Sequence, residues 1–314
     1  MLRLGAIQAS AKRTRAQTFC RLPVLWWRCM LYSFVLICAT FFLVRLTSHY
    51  SPRSSIPRIY ILTATYPRLV QRAELTRLCN TLRNVINVYW IVCEDSATRS
   101  KTTIALLRNC GVPFTYLNVE TPFNQRPRPN EPYWSRPKGI SQRNLGLRWI
   151  RETLLFRRQP SVLYIADDDN TYSLEVFEEM RYTRRVSTWP VGLSGELPWE
   201  GCVTSATDRS RISQMWVAYK PNRPFPIDMA GFAVNMDLIL NHPEAKFDYS
   251  RPRGLQESEF LAGLGLKHWS ELEPKADGCQ KILVWHTRTA DPSLAAWRRL
   301  QSQGVVAPPI RDPV

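Results

Sequence analysis

Acidic residues are missing from the first 73 positions of this chain, Glu74 being the first. Eleven arginines and lysines lie ahead of it, so the N-terminal segment holds eleven of the sixteen net positive charges and leaves +5 to the remainder. A nucleic-acid footprint is spread over a folded surface, and a charge confined to one end does not indicate one. Histidine is scarce, with four in all, and no second Asp-x-Asp cluster is present, which argues against a two-metal phosphoesterase. No CxxC spacing occurs, so neither a zinc site nor a redox pair is indicated. Internal repeats and low-complexity segments are absent as well.

The basic N-terminus has its own explanation. Leu22 to Val44 is an apolar run interrupted only by Arg28, and about 20 apolar residues suffice to cross a bilayer. Arg3, Lys12, Arg13, Arg15 and Arg21 precede it, and the positive-inside bias then keeps residues 1–21 in the cytosol. Arg28 lies near the cytosolic end, where its head snorkels to the lipid headgroups. A cleaved signal peptide is the competing reading, but no small-residue cleavage site follows the run, which is also long for such a peptide. The expectation is an uncleaved signal anchor at 22–44 in a single-pass type II membrane protein. A short Ser- and Pro-containing stem at 45–57 follows, and a lumenal globular part begins at Arg58.

Of eight cysteines, Cys20, Cys29 and Cys38 fall in or beside the anchor, leaving Cys79, Cys93, Cys110, Cys202 and Cys279. An oxidising lumen allows two bridges among those five, with connectivity unreadable from sequence. Burial as small hydrophobes is the other reading.

Arg58 to Thr63, Tyr89 to Cys93 and Val162 to Ala166 are short apolar runs without strict alternation, the pattern of strands covered on both faces. Leu69 to Leu82 and Ile140 to Leu155 have helical apolar spacing, with Thr102 to Leu107 a shorter candidate. The alternation predicts an α/β fold with a mostly parallel sheet and helices on both faces. Trp189 to Leu193, Gln214 to Tyr219 and Lys281 to Trp285 read as strands of a second half. The division is a first half at 58–172 and a second half at 173–314.

Each of the first three strands ends in polar residues, and the third ends in Asp167-Asp168-Asp169-Asn170. Carboxylates packed this closely raise one another's pKa and destabilise the fold unless a cation or several donors offset them. The plainer reading is a solvated turn in which Asp169 or Asn170 caps a helix near Ser173. In open α/β sheets the crevice beyond the carboxyl ends of the strands is where ligands bind, which favours a metal–diphosphate site. Asp228 and Glu257 are the carboxylates that stand out in apolar surroundings further along.

Several ordered strings then carry a resemblance: Ala64-Thr65-Tyr66, Leu69 to Leu75, Asp167 to Ser173, Trp189-Pro190-Val191-Gly192, Asp228 to Val234, and Trp285-His286-Thr287-Arg288-Thr289. From about Pro57 to Thr289 the chain resembles the animal β-1,3-glucuronosyltransferases, glycosyltransferase family 43. The resemblance implies a GT-A-type nucleotide-sugar glycosyltransferase fold, with a Rossmann-like donor half and an acceptor half. It further implies inverting transfer of glucuronic acid from UDP-glucuronate to the 3-hydroxyl of a terminal galactose, with Mn²⁺ and as a homodimer. By the same resemblance Asp169 corresponds to the Mn²⁺ ligand and Asp167 and Asp168 to donor contacts, the ribose being the target of at least one. Ala64, Thr65 and Tyr66 fall on the donor side, Tyr66 matching a residue that stacks on uracil and Asp95 one that hydrogen-bonds it. His286 and Arg288 match the pyrophosphate side, and Arg143 a donor-site arginine. Five residues before Arg143 the family's arginine is replaced by Lys138, which keeps the charge but not the bidentate fork. Arg253 is a candidate partner for the glucuronate carboxylate.

Glu257 matches the catalytic base, as inversion by single displacement needs a carboxylate opposite the leaving group. Glu259, two residues on, points elsewhere if 256–264 is helical. Glu200, Arg223 and Asp228 match acceptor contacts, and Tyr219 sits where members differ in the aromatic packed on the acceptor sugar. The implied acceptor is a galactose-terminated glycan on a protein. The short stem leans to the galactose-galactose-xylose linker of proteoglycans, in glycosaminoglycan biosynthesis, with N-acetyllactosamine as the sibling reading. A membrane-tethered, non-catalytic carbohydrate-binding protein is the alternative of another class, and it has no use for an acceptor-side base.

Overall fold

The computed structural model describes residues 27–28, 30–40, 56–132, 135–156, 159–251, 254–290 and 293–306. The chain divides into two units, Met1–Ser55 and Ile56–Val314. In the first, residues 30–40 are helical. Residues 22–26, 29 and 41–44 of the expected anchor lie outside the described residues, and among those described no helix is long and apolar enough to cross a membrane.

The second unit opens with β1 (Arg58–Thr65), α1 (Gln71–Leu82), β2 (Val88–Glu94), α2 (Lys101–Cys110), β3 (Phe114–Asn118), α3 (Ile140–Leu154) and β4 (Ser161–Ile165). There follow β5 (Thr171–Tyr172), α4 (Leu174–Arg181), β6 (Val186–Thr188), β7 (Val191–Gly192), β8 (Trp199–Thr204), β9 (Ile212–Trp216) and β10 (Phe232–Asn235). It closes with α5 (Met236–Asn241), α6 (Gln256–Gly263), β11 (Glu273–Pro274), β12 (Val284–Trp285) and α7 (Ala295–Ser302).

Seven strands form the larger sheet in the order β11-β6-β10-β4-β1-β2-β3. Successive side chains of a strand point to opposite faces, and here both faces are apolar. Ile59, Ile61, Trp90, Val92, Val162 and Tyr164 join α1, α2 and α4 in one core, which includes Leu75, Leu107 and Phe177. Tyr60, Leu62, Ile91, Cys93, Leu163 and Ile165 join α3, α5 and α6 in the other, with Leu147, Ile239 and Phe260. This double burial is why the strands read as unbroken apolar runs. Strands β4, β1, β2 and β3 are mutually parallel, but β10 is antiparallel to both β4 and β6, so the sheet is mixed. Strands from both sides of residue 172 share it. The chain runs from β1 outward through β2 and β3, then returns to β4 on the other side of β1. That reversal opens a crevice beyond the tips of β1 and β4.

The smaller sheet has the order β5-β12-β7-β8-β9. The expected strand 189–193 shrinks to β7, because Pro190 lacks an N–H and the chain changes sheets there: Val186–Thr188 pairs in the large sheet and Val191–Gly192 in the small one. The expected 214–219 strand is shifted to 212–216, and it ends before a turn in which Lys220 adopts φ 46. Only Val284 and Trp285 of the expected 281–285 strand pair. The helix after the acidic triplet is capped by Ser173, whose Oγ accepts from Glu175 N at 3.3 Å, and neither Asp169 nor Asn170 caps it.

Two bridges form, Cys79–Cys110 between α1 and α2 and Cys202–Cys279 from β8 to the turn at Ala276–Cys279, while Cys93 is buried and free. In that turn four successive residues are left-handed, with φ of 56, 55, 63 and 65. Three of them carry side chains, so the backbone here is strained. The disulfide, a bond from Thr204 Oγ1 to Gly278 O of 2.7 Å and one from Ala276 N to Glu179 Oε2 of 3.0 Å hold it.

Candidate active site

The tips of β1 and β4 meet through Asp168. Thr65 Oγ1 donates to its Oδ2 at 2.5 Å and Arg68 Nη2 to its Oδ1 at 2.7 Å, so both oxygens of this buried carboxylate are engaged by the chain itself. Arg68 also pairs with the buried Glu74, and its guanidinium lies 4.4 Å from the centroid of the exposed Tyr66 ring. Lys138 Nζ stands 5.3 Å from the same ring. Burial, then the charges of Arg68 and Arg288, lower the Lys138 pKa, so two cations flank Tyr66 and a third acts on Lys138. That concentration suits a polyanionic ligand. Ala64 lines the same end of β1, its Cβ close to where Gly139 begins the turn into α3.

Asp167 is held by Arg143, whose Nη2 donates to Oδ1 at 2.9 Å. Arg143 Nη1 also donates to Lys138 O at 2.8 Å, folding back over Gly139. A Cβ on Gly139 would fall 2.7 Å from Nη1 at φ +75, so glycine is needed there on two counts.

Asp169 differs from its two neighbours. Among the described residues the side-chain hydrogen bonds made to it reach only its backbone oxygen, from Arg77 Nη2 at 2.9 Å and Thr287 Oγ1 at 2.6 Å. Its carboxylate is pushed up to about 6 by burial and then by Asp167 and Asp168, with His286 opposing. A carboxylate held by its backbone and crowded by like charge fits a divalent cation shared with a phosphate oxygen. Among the described residues no cluster of three ligating side chains exists, so such an ion would draw its remaining ligands from elsewhere, as a diphosphate provides.

The second sheet brings the remaining residues to this crevice. β12 lies between β5, just after the triplet, and β7. His286 N donates to Gly192 O at 2.8 Å, which holds β12 against β7 and leaves His286 near enough to Asp169 for its charge to be felt there, while the charge of Arg288 acts on Lys138. β7 pairs with β8, placing Glu200 opposite Val191. Ser194 then bridges two carboxylates, donating to Glu200 Oε1 at 3.0 Å and lying 2.8 Å from Asp228 Oδ2. One hydroxyl proton serves both contacts, which is consistent with Glu200 being pushed toward its protonated form by burial and by Asp228. Glu200 Oε2 is buried without a partner among the described residues. Asp228 Oδ1 accepts from Ala230 N at 2.8 Å.

Glu257 sits in the first turn of α6. The residue keeps some exposed surface, yet its Oε2 is fully covered and has no hydrogen-bond partner among the described residues. Burial pushes its carboxyl up to about 7, against its own backbone N–H and Arg223, with Asp228 raising it and Arg143 lowering it. Glu259 faces away, paired with Arg251 at 3.3 Å. Arg223 donates to Gly254 O at 2.8 Å and Ile227 O at 3.1 Å, closing the loop next to Glu257, and the exposed Tyr219 packs against Gly254.

Two series of neighbouring charges therefore connect the triplet to Glu257. One runs from Asp169 through His286, Glu200, Asp228 and Arg223, and the other from Asp167 through Arg143. Arg253 lies outside the described residues. Asp95 accepts two hydrogen bonds from Thr121 at the far side of the β2 tip. Sequence patterns did not assign a role to Arg68, Arg77, Ser194, Thr121 or Thr287; each acts by holding a carboxylate or a backbone oxygen, Arg77 from α1 and the others from loops, and such contacts leave no periodic signal.

The profile described as glycosyltransferase family 43 matches residues 78–290. This chain belongs to that family. It is 46% identical over 259 residues to the Mus musculus protein named galactosylgalactosylxylosylprotein 3-beta-glucuronosyltransferase 3, covering 80% of this chain and 76% of that one. It is 50% identical over 244 residues to the Rattus norvegicus protein of the same name numbered 1, covering 76% and 71%. The Canis lupus familiaris protein numbered 2 is 47% identical over 247 residues, covering 78% and 71%. Among solved structures, S. aureus TarS 1–349 in complex with UDP aligns with a TM-score of 0.44 at 12% identity, over 74% of this chain and 61% of that one.

Proposed function

We propose that this protein transfers glucuronic acid from UDP-glucuronate, with inversion, to the 3-hydroxyl of a terminal galactose, completing the glucuronate-galactose-galactose-xylose linker of proteoglycans. The relatives' names all specify galactosylgalactosylxylosylprotein as the acceptor, which favours this acceptor over N-acetyllactosamine. The observation that carries the reading is Glu257: a covered, unpartnered carboxylate oxygen joined by adjacent charges to a strand-tip acidic triplet.

Tyr66 and the cations beside it hold the nucleotide, and His286 and Arg288 face its diphosphate. Asp169 is the residue that would hold Mn²⁺, which when bound neutralises charge developing on the departing diphosphate. Glu257 removes the proton from the attacking 3-hydroxyl, and its raised pKa makes it a stronger base than an exposed glutamate. Glu200, Asp228 and Arg223 orient the galactose, and Tyr219 offers an aromatic face to a sugar ring. The GT-A-type assignment of the fold rests on the parallel β4-β1-β2-β3 core with the triplet at its switch point. Two disulfides in residues 56–314 support the type II orientation into the Golgi lumen, an oxidising space.

The test is incubation of the protein with UDP-glucuronate and Mn²⁺ against a galactosyl-galactosyl-xyloside and, in parallel, N-acetyllactosamine. Product is expected on the first; product on the second alone would overturn the acceptor assignment, and product on neither would overturn the transfer itself.

Gly195 gives a way to perturb the acceptor side alone. A Cβ there would lie 2.1 Å from Glu200 Oε2 at φ +63. Gly195→Ala is expected to destabilise the protein by about 1–3 kcal/mol and to raise the acceptor KM while leaving the UDP dissociation constant unchanged. Initial rates over acceptor concentration and calorimetric UDP titration check both halves.

A further inference from the structure

Beside the phosphate-facing residues stands a second polar cluster at the tips of β2 and β3. Thr121 donates to Asp95 twice, from its backbone N to Oδ1 at 2.7 Å and from Oγ1 to Oδ2 at 2.6 Å. A carboxylate gripped at both oxygens by one residue has a fixed plane. Thr121 Oγ1 in turn lies 3.4 Å from Gln142 Nε2, which donates to Val119 O at 2.8 Å. Gln142 stands in the first turn of α3 and is 1% exposed. Its Oε1 is covered and has no partner among the described residues. An amide that leaves its oxygen unsatisfied in the interior costs free energy, so its presence is accounted for by what its nitrogen does. That nitrogen spans Val119 and Thr121, fixing the segment which grips Asp95. The backbone completes the arrangement: Asp95 N donates to Thr65 O at 2.8 Å and Val119 N to Glu94 O at 3.0 Å, locking three strand tips together one residue from Tyr66.

We propose that Thr121 and Gln142 are positioning residues for nucleobase selection, acting through Asp95. The inference rests on the UDP-sugar reading above and specifies how the base is chosen. Uracil presents a ring N–H at its pairing edge, where cytosine presents a bare nitrogen lone pair. A carboxylate attracts the first and repels the second. That discrimination requires a carboxylate that cannot turn away, and a half-buried carboxylate held at both oxygens supplies it. Each Asp95 oxygen uses one lone pair on Thr121 and keeps another for a ligand.

The experiment is calorimetric titration of the full chain, in detergent and Mn²⁺, with UDP and separately with CDP. The unmodified protein is expected to prefer UDP. Thr121→Val keeps the side-chain shape and removes the hydroxyl, and it should weaken UDP binding by about tenfold while shrinking the UDP-over-CDP preference. Thr121→Ser restores the hydroxyl and should return both values to within about twofold of the parent. Gln142→Leu should shift the preference in the same direction as Thr121→Val. Parent-like UDP affinity and preference in both Thr121→Val and Gln142→Leu, at an unchanged melting temperature, would overturn the proposal while leaving the UDP-sugar reading in place. So would a parent protein that binds the two nucleotides equally. Binding of neither nucleotide by the parent would overturn the UDP-sugar reading and this inference with it. If Thr121→Val does not fold, Gln142→Leu carries the same expectation and the same refutation.

Discussion

Glu257→Gln is expected to lose transfer by about 10²–10⁴-fold while becoming more stable than the parent in mild alkali. The first effect follows from removing a covered carboxylate oxygen, uncommitted among the described residues, from the place where the acceptor-side base must stand. The second follows from the sign of its pKa shift. Glu257 titrates near 7 in the folded chain, above the ordinary value of 4.5, chiefly because of burial. The folded state thus keeps this proton more tightly than the unfolded state does. Its contribution is fully favourable below about pH 4.5 and is lost as pH rises through 7, so ionised Glu257 destabilises the parent by up to about 3 kcal/mol at pH 8. Glutamine cannot ionise and escapes this term. Melting curves at pH 5 and pH 8 should show the gap between variant and parent widening with pH, and UDP titration should show donor binding intact. A variant that loses UDP affinity together with activity would contradict the role given to Glu257. In the parent, the acid limb of kcat/KM should follow a group near 7.

Asp169→Ala is the second large effect and bears on the donor instead. Its carboxylate receives no hydrogen bond from the described residues, while Arg77 and Thr287 fix its backbone oxygen. Replacing it should therefore leave the fold intact and relieve the repulsion among the three aspartates. UDP affinity measured with Mn²⁺ should fall on the order of 10–100-fold, and affinity measured in EDTA should not change. In the parent, the Mn²⁺-dependent part of UDP affinity should decline below about pH 6, where Asp169 takes up its proton. Tight UDP binding by the parent in EDTA would dismiss the metal assignment.

The central strands were legible because burial on both faces turns β1, β2 and β4 into unbroken apolar runs, and the helices α1 and α3 because each buries one stripe. The smaller sheet was not. Strands of two residues such as β5, β7, β11 and β12 contain less than one full alternation, so no period exists to detect. Pro190 was visible, but its meaning as the point where the chain leaves one sheet for another depends on partners far away in sequence. Asp228 and Glu257 stood out as charges in apolar company, and Asp169 as part of an acidic block at a strand end. Ser194, which joins Glu200 to Asp228, did not, because a serine in a hairpin is ordinarily only a turn residue. The same applies to Thr121. The cysteine pairing became readable only once α1 lay beside α2 and β8 beside the 276–279 turn.

The bridge from Cys202 to Cys279 ties together two ends of the chemistry. Cys202 is two residues past Glu200 on β8, and Cys279 ends the left-handed turn that feeds β12 and then His286. A single covalent strut thus sets the spacing between the sugar that attacks and the nucleotide that departs. Protein synthesised in a reducing cytosol would lack that strut, and both pockets would loosen together even though neither contains a cysteine.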